Sequence, residues 1–390
     1  MMSSSKTYCI FSANYLPNVG GVEKYTQNLA FALADGGDRA IIVTSNVFDL
    51  PAWETLRDGV EIVRLPCWKI LGGRLPISRR NAEYRALCSR LASERIDYVV
   101  VNTRFYRHSF EGVRLAEMKG IRPIVIDHGS AHLTLGNKIL DVAVARYEHA
   151  VTRSLKRHDA DYYAVSGASC RWLEHFGIVS RGVLNNSIDA EAFRRSSSGR
   201  DFRSELGLGD DRFVVSFAGR FIPEKGIIPL MDAAEQLSGE PDVVFLLAGD
   251  GPLKREVESR GLSNVVMLGR LDAPDIVALL QGSDAFCLPS RSEGFSTSLL
   301  ECAACGVPPI VTHVGGVDEL MPDESYGCLL SEATAEEVVK WVRILKGDPE
   351  RCRAIGEKLQ GYVEEEFSWP RTASKVREAC AAANSSWTSD

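Results

Sequence analysis

The sequence predicts an α/β protein built from two doubly wound domains. Short apolar runs alternate with amphipathic, helix-like stretches along most of the 390-residue chain. Strands that are apolar throughout are typical of a parallel sheet covered by helices on both faces. The chain is also longer than one ordinary hydrophobic core accommodates, so two domains are expected.

The same alternation predicts the individual elements. Strands are expected over residues 8–12, 40–44, 60–65, 98–101, 123–126 and 162–165 in the first half, and over 213–218, 243–248, 265–268, 285–288 and 309–311 in the second. Helices are expected over residues 23–34 and 82–94, and from Pro229, Leu253, Pro274, Ser296 and Ala335 onward.

The junction between the domains is expected near residues 183–200. Residues 194–200 read Arg-Arg-Ser-Ser-Ser-Gly-Arg, a polar stretch without apolar periodicity. We therefore expect an N-terminal domain over residues 1–190 and a C-terminal domain over residues 191–370. Trp369-Pro370 interrupts the last helical pattern.

Composition is that of a globular chain, with 45% hydrophobic and 25% charged residues. No stretch approaches the roughly 18 consecutive apolar residues of a membrane-spanning helix. Residues 1–6 lead straight into a strand-like run, without the apolar segment of a signal peptide. A cytoplasmic location is therefore expected.

The net charge of −7 conceals a difference between the two halves. Residues 1–195 carry 26 Lys and Arg against 20 Asp and Glu, a balance of +6, whereas residues 196–390 carry 19 against 32, a balance of −13. The basic half suits an anionic membrane or acceptor, and the acidic half needs local cations to hold an anionic ligand. The basic residues are not interleaved with aromatic residues, so nucleic acid is not expected as a partner.

The ten cysteines are scattered singly through apolar runs, which does not suggest a disulfide framework. Cys302 and Cys305 form a Cys-x-x-Cys pair within a helix-like pattern, but no second pair or nearby histidine completes a set of metal ligands. We expect thiols packed in the core, no metal site and no cofactor.

The nine residues from Glu293 to Glu301 are the most informative segment. They read Glu-Gly-Phe-Ser-Thr-Ser-Leu-Leu-Glu, follow the strand predicted at 285–288, and begin a helix-like pattern at Ser296. The amides of Ser296 and Thr297 would face the carboxyl end of the sheet, where the start of a helix favours a phosphate. Glu301 could reach a sugar diol, and Glu293 a second sugar. Taken alone, the segment could also be a solvated helix start.

A second loop supplies positive charge. Residues 219–226 read Gly-Arg-Phe-Ile-Pro-Glu-Lys-Gly and follow the strand predicted at 213–218. The planar guanidinium of Arg220 and the compact ammonium of Lys225 together suit a diphosphate, and they could stabilise the charge that develops as it departs. In isolation this loop would be interpreted as a surface turn.

Two features of the first half could also belong to a site. Gly20 and Gly21 lie between the first strand and a helix, where residues without a Cβ let the backbone approach a ligand closely. They do not form a Gly-x-Gly-x-x-Gly fingerprint, and a structural turn is the alternative. His128 follows the strand predicted at 123–126, although a lone histidine there is more often structural. No motif surrounds His132, His149 or His158.

Taken in order, these segments resemble the family-4 retaining glycosyltransferases. That family has the GT-B architecture, in which two Rossmann-like domains face a central cleft. The resemblance therefore implies an N-terminal acceptor-binding domain, a C-terminal domain that binds a nucleotide sugar, and a closing helix at about 371–390 that returns to the first domain. Seven segments carry it: Gly20-Gly21-Val22-Glu23, His128, Asn186-Ser187-Ile188-Asp189, the loop 219–226, Gly249-Asp250-Gly251-Pro252, the segment from Glu293 to Glu301, and Gly315-Gly316-Val317-Asp318-Glu319.

The resemblance implies transfer of a hexose or N-acetylhexosamine from a nucleoside diphosphate sugar to a hydroxyl, with retention at the anomeric carbon and without a metal. Glu301 would hold the ribose, Glu293 the donor sugar, and the two cations the leaving diphosphate. The implied catalytic residues are His128, Arg220, Lys225 and Glu293. The implied donor-binding residues are Gly20, Gly21, Gly219, Arg220, Lys225, Gly249, Gly251, Leu271, Phe295, Ser296, Thr297 and Glu301.

Donor and acceptor are less sharply defined. A UDP-sugar is favoured because such donors are commonest in the family, and GDP-mannose is the second candidate. The acceptor would be a glycan, a glycolipid or another molecule of cell-surface polysaccharide or glycoconjugate synthesis. Residues 68–74, together with Arg79, Arg80 and Arg85, mix aromatic, apolar and basic side chains, which suits either a peripheral contact with anionic lipid or an ordinary solvated rim.

Two other classes of function remain open. The same scaffold serves an epimerase that acts on a nucleotide sugar, and a protein that binds a nucleotide sugar without catalysis would need much the same pocket. The chain also departs from the family at Ser187, where glycine is common, and at Gly129, where many members have aspartate. Neither departure removes a charged donor contact.

Overall fold

The computed structural model describes residues 5–18, 20–132 and 138–385. These residues divide into two compact units, Met1–Asn186 with Trp369–Asp390, and Ser187–Ser368. All ten cysteines are free thiols. None of the helices in the described residues combines the length and the apolar character that a bilayer span requires.

Nine strands and five helices are described in the first unit before the chain leaves it. The strands are β1 (Thr7–Ser12), β2 (Arg39–Ser45), β3 (Trp53–Arg57), β4 (Val60–Leu65), β5 (Cys67–Ile70), β6 (Leu75–Ser78), β7 (Tyr98–Asn102), β8 (Ile124–Asp127) and β9 (Asp161–Ala164). The helices are α1 (Gly21–Asp35), α2 (Ala82–Ser93), α3 (Ser109–Lys119), α4 (Lys138–Leu155) and α5 (Gly167–Glu174).

Seven of these strands form one sheet in the order β3-β4-β2-β1-β7-β8-β9. Neighbours are parallel except β3, which runs antiparallel to β4. The central strands β1 and β7 are buried almost throughout because helices cover both faces of the sheet. Strands β5 and β6 form a separate antiparallel hairpin.

The second unit repeats the α/β pattern. Its strands are β10 (Phe213–Ala218), β11 (Val243–Ala248), β12 (Val265–Gly269), β13 (Ala285–Leu288), β14 (Pro309–Thr312) and β15 (Cys328–Leu330). Its helices are α6 (Ala190–Arg195), α7 (Phe202–Glu205), α8 (Ile227–Gln236), α9 (Lys254–Ser259), α10 (Ala273–Gln281), α11 (Thr297–Ala304), α12 (Val317–Leu320), α13 (Ala335–Gly347) and α14 (Pro349–Glu366). The strands form one parallel sheet in the order β12-β11-β10-β13-β14-β15.

The last helix, α15 (Trp369–Ser385), belongs to the first unit and packs on α1. The ring of Trp369 lies 5.4 Å from that of Tyr25 in α1. Arg377 donates to Asp38, 2.7 Å away. The boundaries between the two units follow Asn186 and Ser368. The sequence analysis places them after residues 190 and 370. The physical reason is that α6, capped by Asp189, packs on α11 and α14, whereas Trp369 already packs on α1.

Candidate functional site

In the second unit, the predicted donor residues lie on loops that leave the carboxyl ends of adjacent strands. Strand β10 pairs with β11 on one side and with β13 on the other, so the strand order reverses between β10 and β13. In open α/β sheets, ligands bind where the order reverses in this way. The loops after β10 and β13 carry Arg220, Lys225, Glu293 and Phe295, and the loop after β12 carries Leu271, which is half-buried.

Glycines pack the loop after β11 against the loop after β10. A Cβ on Gly249 would overlap the carbonyl oxygen of Gly219, and Gly249 has φ +151°. A Cβ on Gly251 would lie 2.6 Å from the carbonyl oxygen of Phe221. The amide of Phe221 donates to Asp250 O at 3.0 Å. A side chain at either glycine would therefore separate two backbones that are in direct contact.

The loop after β10 is also packed against the loop after β13. Gly226 has φ +69°, and a Cβ there would overlap the carbonyl oxygen of Pro289. The amide of Arg291 donates to Glu224 O at 2.8 Å. This backbone contact brings together the two loops that carry the charged residues predicted from the sequence.

The charged groups meet in an ion pair. Lys225 Nζ donates to Glu293 Oε1 at 2.6 Å, and Ser290 Oγ donates to the same oxygen at 2.8 Å. Arg220 is exposed at the carboxyl end of β10, and it has no ion-pair partner among the residues that the structure describes. The structure thus pairs Lys225 with Glu293 and leaves the second predicted cation facing solvent.

A further glycine pair supports the loop that carries Glu293. Gly315 has φ +64°, and a Cβ there would lie 2.7 Å from Cβ of Glu293. A Cβ on Gly316 would overlap the ring of Phe295, which also lies 5.9 Å from the ring of Phe367. The sequence marked this pair only as part of a resemblance, and the structure shows that it forms the wall behind Glu293 and Phe295.

Helix α11 begins one residue later than predicted. Ser296 is the N-cap, and its Oγ accepts from the amide of Leu299 at 3.3 Å. The helix therefore starts at Thr297, and the side chain of Ser296 closes its first turn. The amides of Thr297 and Ser298 come next, and a helix provides no acceptor for them. Ser298 was missed by the sequence-based prediction.

Glu301 lies in the second turn of α11 and is half-buried. Its carboxylate is far enough along the helix not to occupy the first turn, where an anion is favoured. The second unit therefore combines a helix start, two cations and two glutamates on connected loops at one edge of a sheet, which suits a ligand with a diphosphate and hydroxyl groups.

In the first unit, His128 directly follows β8 and is oriented by a chain of hydrogen bonds. Its Nε2 lies 3.1 Å from Asn102 Oδ1, at the end of β7. Asn102 Nδ2 donates to Thr26 Oγ1 at 2.7 Å. The amide oxygen of Asn102 must therefore accept, so that Nε2 of His128 carries the proton. Burial lowers the pKa of His128 from 6.5 to about 3, and the ring is neutral near pH 7.

Gly20 and Gly21 lie at the start of α1. Gly20 is the N-cap residue, and a Cβ there would overlap the carboxylate of Glu23. Glu23 is buried and accepts from Asn18 Nδ2 at 2.8 Å, and its burial raises its pKa. Gly21 is exposed, with open space around its Cα. Gly20 thus accommodates a buried carboxylate, which is one physical reason for a glycine at that position.

Two family models match different parts of the chain. Residues 19–192 match Glycosyltransferase Family 4, and residues 199–361 match Glycosyl transferases group 1. Together they span most of the chain. The chain is a family-4 glycosyltransferase. The resemblance predicted from the sequence is confirmed.

Solved structures identify the fold of this glycosyltransferase as GT-B, as predicted. Sucrose-phosphate synthase from Thermosynechococcus elongatus is 19% identical with a TM-score of 0.75, and the match covers 98% of this chain and 100% of that one. Anabaena Alr3699/HepE in complex with UDP-glucose is 19% identical with a TM-score of 0.70, covering 96% and 99%. Among sequence relatives, D-inositol 3-phosphate glycosyltransferase of Arthrobacter sp. (strain FB24) is 27% identical over 400 residues, which cover 94% of this chain and 91% of the relative.

Proposed function

We propose that this glycosyltransferase moves a hexose or N-acetylhexosamine from a UDP-sugar to a hydroxyl of a glycan, glycolipid or other acceptor, with retention at the anomeric carbon. The product would belong to cell-surface polysaccharide or glycoconjugate synthesis. The observation that carries the proposal is the Lys225–Glu293 pair, 2.6 Å apart, at the reversal point of the second sheet and beside the start of α11.

The proposed donor contacts follow from the charges at this edge. Arg220 and Lys225 would hold the diphosphate with the amides of Thr297 and Ser298, since cations and a helix start both favour phosphate oxygens. Glu301 would accept from the ribose hydroxyls and Glu293 from the donor sugar. Gly219, Gly249, Gly251, Leu271 and Phe295 would line the space for the nucleotide through backbone and apolar contacts.

The proposed chemistry is electrostatic. Negative charge accumulates on the diphosphate as the bond to the anomeric carbon breaks, and Arg220 and Lys225 would stabilise that charge. These two side chains supply the positive charge that a metal would otherwise provide, so we propose transfer without a metal or cofactor. Glu293 already accepts from Lys225 and Ser290, which favours a binding role over that of a covalent nucleophile. In the first unit, His128 would contribute a neutral ring to the reaction, and Gly20 and Gly21 would let the backbone approach the donor.

The donor can be tested by thermal shift with UDP-glucose, UDP-N-acetylglucosamine, GDP-mannose and ADP-glucose. A ligand that binds only the folded state raises the unfolding temperature. We expect the largest shift with a UDP-sugar, because one neighbour of the same fold is solved with UDP-glucose. A larger shift with GDP-mannose would favour the mannosyltransferase alternative. Equal shifts in wild type and Lys225→Ala would contradict the site.

The reaction class needs a separate measurement. The protein would be incubated with the best donor, with and without candidate acceptors, and the products followed by proton NMR. A new glycoside with the anomeric configuration of the donor supports retaining transfer. An epimerised nucleotide sugar formed without acceptor would support the epimerase alternative. Donor binding without turnover of any acceptor would support the non-catalytic alternative.

A membrane contact is proposed for the β5–β6 hairpin of the first unit. Trp68 is 56% exposed and Leu71 is 59% exposed, although both are large and apolar. The guanidinium of Arg79 lies 4.9 Å from the ring of Trp68. An exposed aromatic side chain next to basic groups suits the interface of an anionic bilayer. We propose that this hairpin brings the enzyme to the cytoplasmic membrane face, where a lipid-linked acceptor would be available.

Flotation with phosphatidylglycerol vesicles would test this contact. Wild type is expected to float, and a variant with Trp68→Ser and Leu71→Ser is expected to stay at the bottom of the gradient. Met118→Ser is the matched control, because Met118 is an exposed apolar side chain of the same unit outside the hairpin. Flotation that is equal in all three proteins, or absent from all three, would reject the proposed contact.

A further inference from the structure

Three histidines converge in the first unit, and none of them is among the residues proposed for sugar transfer. His132 lies in the segment that follows β8, His149 lies in α4, and His175 ends α5. One ring nitrogen of each lies within 4.8 Å of those of the other two. The sequence positions show no motif, so only the fold reveals this cluster, which we call the histidine triad.

The spacing within the triad matches metal coordination. His149 Nε2 and His175 Nε2 are 3.2 Å apart. Two nitrogens that each lie about 2.0–2.1 Å from a tetrahedral zinc ion are about 3.4 Å from each other. A hydrogen bond between the two rings would also give 3.2 Å, but it would not explain why a third imidazole points at the same place.

His132 is held in the tautomer that a metal requires. Its Nδ1 lies 2.6 Å from Glu148 Oε2. A carboxylate only accepts, so Nδ1 donates and the lone pair is left on Nε2. Glu148 is itself fixed, because its other oxygen accepts from both terminal nitrogens of Arg104, at 2.8 and 2.7 Å. In metal sites, a histidine ligand commonly donates its other ring N–H to a carboxylate, which fixes the orientation of the ring.

The surrounding charges also favour a cation. Arg104 lies between Glu148 and Asp127, and all three side chains are buried. Two carboxylates and one guanidinium therefore lie together beside the triad, and this excess of acidic groups suits a cation.

Aromatic side chains fix the orientation of the rings. Trp172 stacks on His175, with ring centres 4.9 Å apart and an angle of 5° between the planes. Phe176 lies 4.8 Å from the ring of His149. His175 is exposed, so an ion can enter from solvent and water can complete its coordination.

We propose that His132, His149 and His175 bind one divalent transition-metal ion, with Zn²⁺ the best match to three imidazoles and an open fourth position. The ion would tie the segment after β8 to α4 and α5. That segment also carries His128, four residues before His132. The role is structural and does not depend on the proposed sugar transfer, so either proposal can fail without the other.

The test uses full-length, tag-free protein treated with EDTA and then dialysed. Calorimetric titration with ZnCl₂ should give one site per chain, and a second titration with Co²⁺ should give the visible absorption bands of tetrahedral cobalt. His149→Ala and His175→Ala should each weaken Zn²⁺ binding at least tenfold and remove those bands. His158→Ala is the matched control, since His158 is another histidine of the same unit, paired with Glu117 outside the triad.

Circular dichroism of each variant would verify folding, and the exposed position of His175 makes that variant the safer of the two. No Zn²⁺ binding by wild type, or equal binding by wild type and a folded His175→Ala variant, would overturn the proposal. Loss of binding in His158→Ala to the same extent would overturn it as well, because the histidine triad would then not be the site.

Discussion

Lys225 and Glu293 form an ion pair although they lie 68 residues apart in the chain, with Nζ and Oε1 separated by 2.6 Å. Their side chains are only 25% and 11% exposed, so water screens the pair weakly. A phosphate that binds Lys225 must compete with Glu293 for the ammonium group. A sugar hydroxyl that binds Glu293 can then donate the hydrogen bond that Lys225 no longer provides. A nucleotide sugar offers both groups at once, and a free nucleotide offers only the first.

Lys225→Ala should weaken UDP binding by about 10- to 100-fold, since a hydrogen bond to a charged group contributes about 1.5–3 kcal/mol. Isothermal titration calorimetry with UDP measures this directly. Lys254→Ala is the control, because Lys254 is a half-buried lysine of α9 that pairs with Glu258 one turn away. Equal UDP affinity in wild type and Lys225→Ala would remove Lys225 from the diphosphate site.

Glu293→Gln should change the affinities for UDP and UDP-sugar in opposite directions. Loss of the carboxylate releases Lys225 for phosphate, so UDP should bind a few-fold more tightly. The sugar loses a charged acceptor, so the preference for UDP-sugar over UDP should fall about tenfold. Calorimetry with both ligands gives the ratio. Ser290→Ala, which removes a hydroxyl donor to Glu293 without changing charge, should shift the ratio less. A parallel change in both affinities would contradict this role.

The sequence located the interior of both sheets because those strands are apolar throughout. All eleven predicted strands are present, and none of their ends differs by more than one residue. The missed strands are of another kind. Strand β3 lies at a sheet edge and mixes polar with apolar residues, β5 and β6 form a separate hairpin, and β15 is a three-residue edge strand. Such segments take their structure from pairing partners, which a local pattern does not contain.

For the candidate site, the sequence supplied the residue types and the fold supplied the pairings. That Gly316 packs under Phe295, or that Lys225 meets Glu293, depends on which strands are adjacent. The position of α11 could have been predicted better, because serine is a preferred N-cap and rarely the first helical residue. The histidine triad had no local signal, since 17 and 26 residues separate its successive members along the chain.

Gly249→Ala should destabilise the second unit and weaken UDP binding together. The added methyl group would overlap the carbonyl oxygen of Gly219, and φ +151° is a conformation that alanine rarely adopts. We expect a loss of about 1–3 kcal/mol in the free energy of unfolding. Urea unfolding with and without UDP measures both effects. Gly239→Ala is the control, since open space surrounds that glycine. Unchanged stability and affinity in Gly249→Ala would show that the two loops can separate at no cost.

The stability of the first unit should depend on pH through His128. Burial lowers the pKa of this ring from 6.5 to about 3, so the folded state holds it neutral over a range in which the unfolded state binds a proton. Its contribution to stability is therefore complete above about pH 6.5 and is lost as the pH falls towards 3. In His128→Gln, which does not titrate, the midpoint of urea unfolding should fall less steeply between pH 6.5 and pH 4.

The measurement compares wild type with His128→Gln, so that other titrating groups, such as Glu23 and Asp127, contribute equally to both curves. His158→Gln is the control, because it removes another histidine of the same unit, one that pairs with Glu117. The proton on Nε2 of His128 is fixed by Asn102, so the ring should also stay neutral in the activity range. A titration of His128 near pH 6.5, observed by NMR, would contradict both expectations.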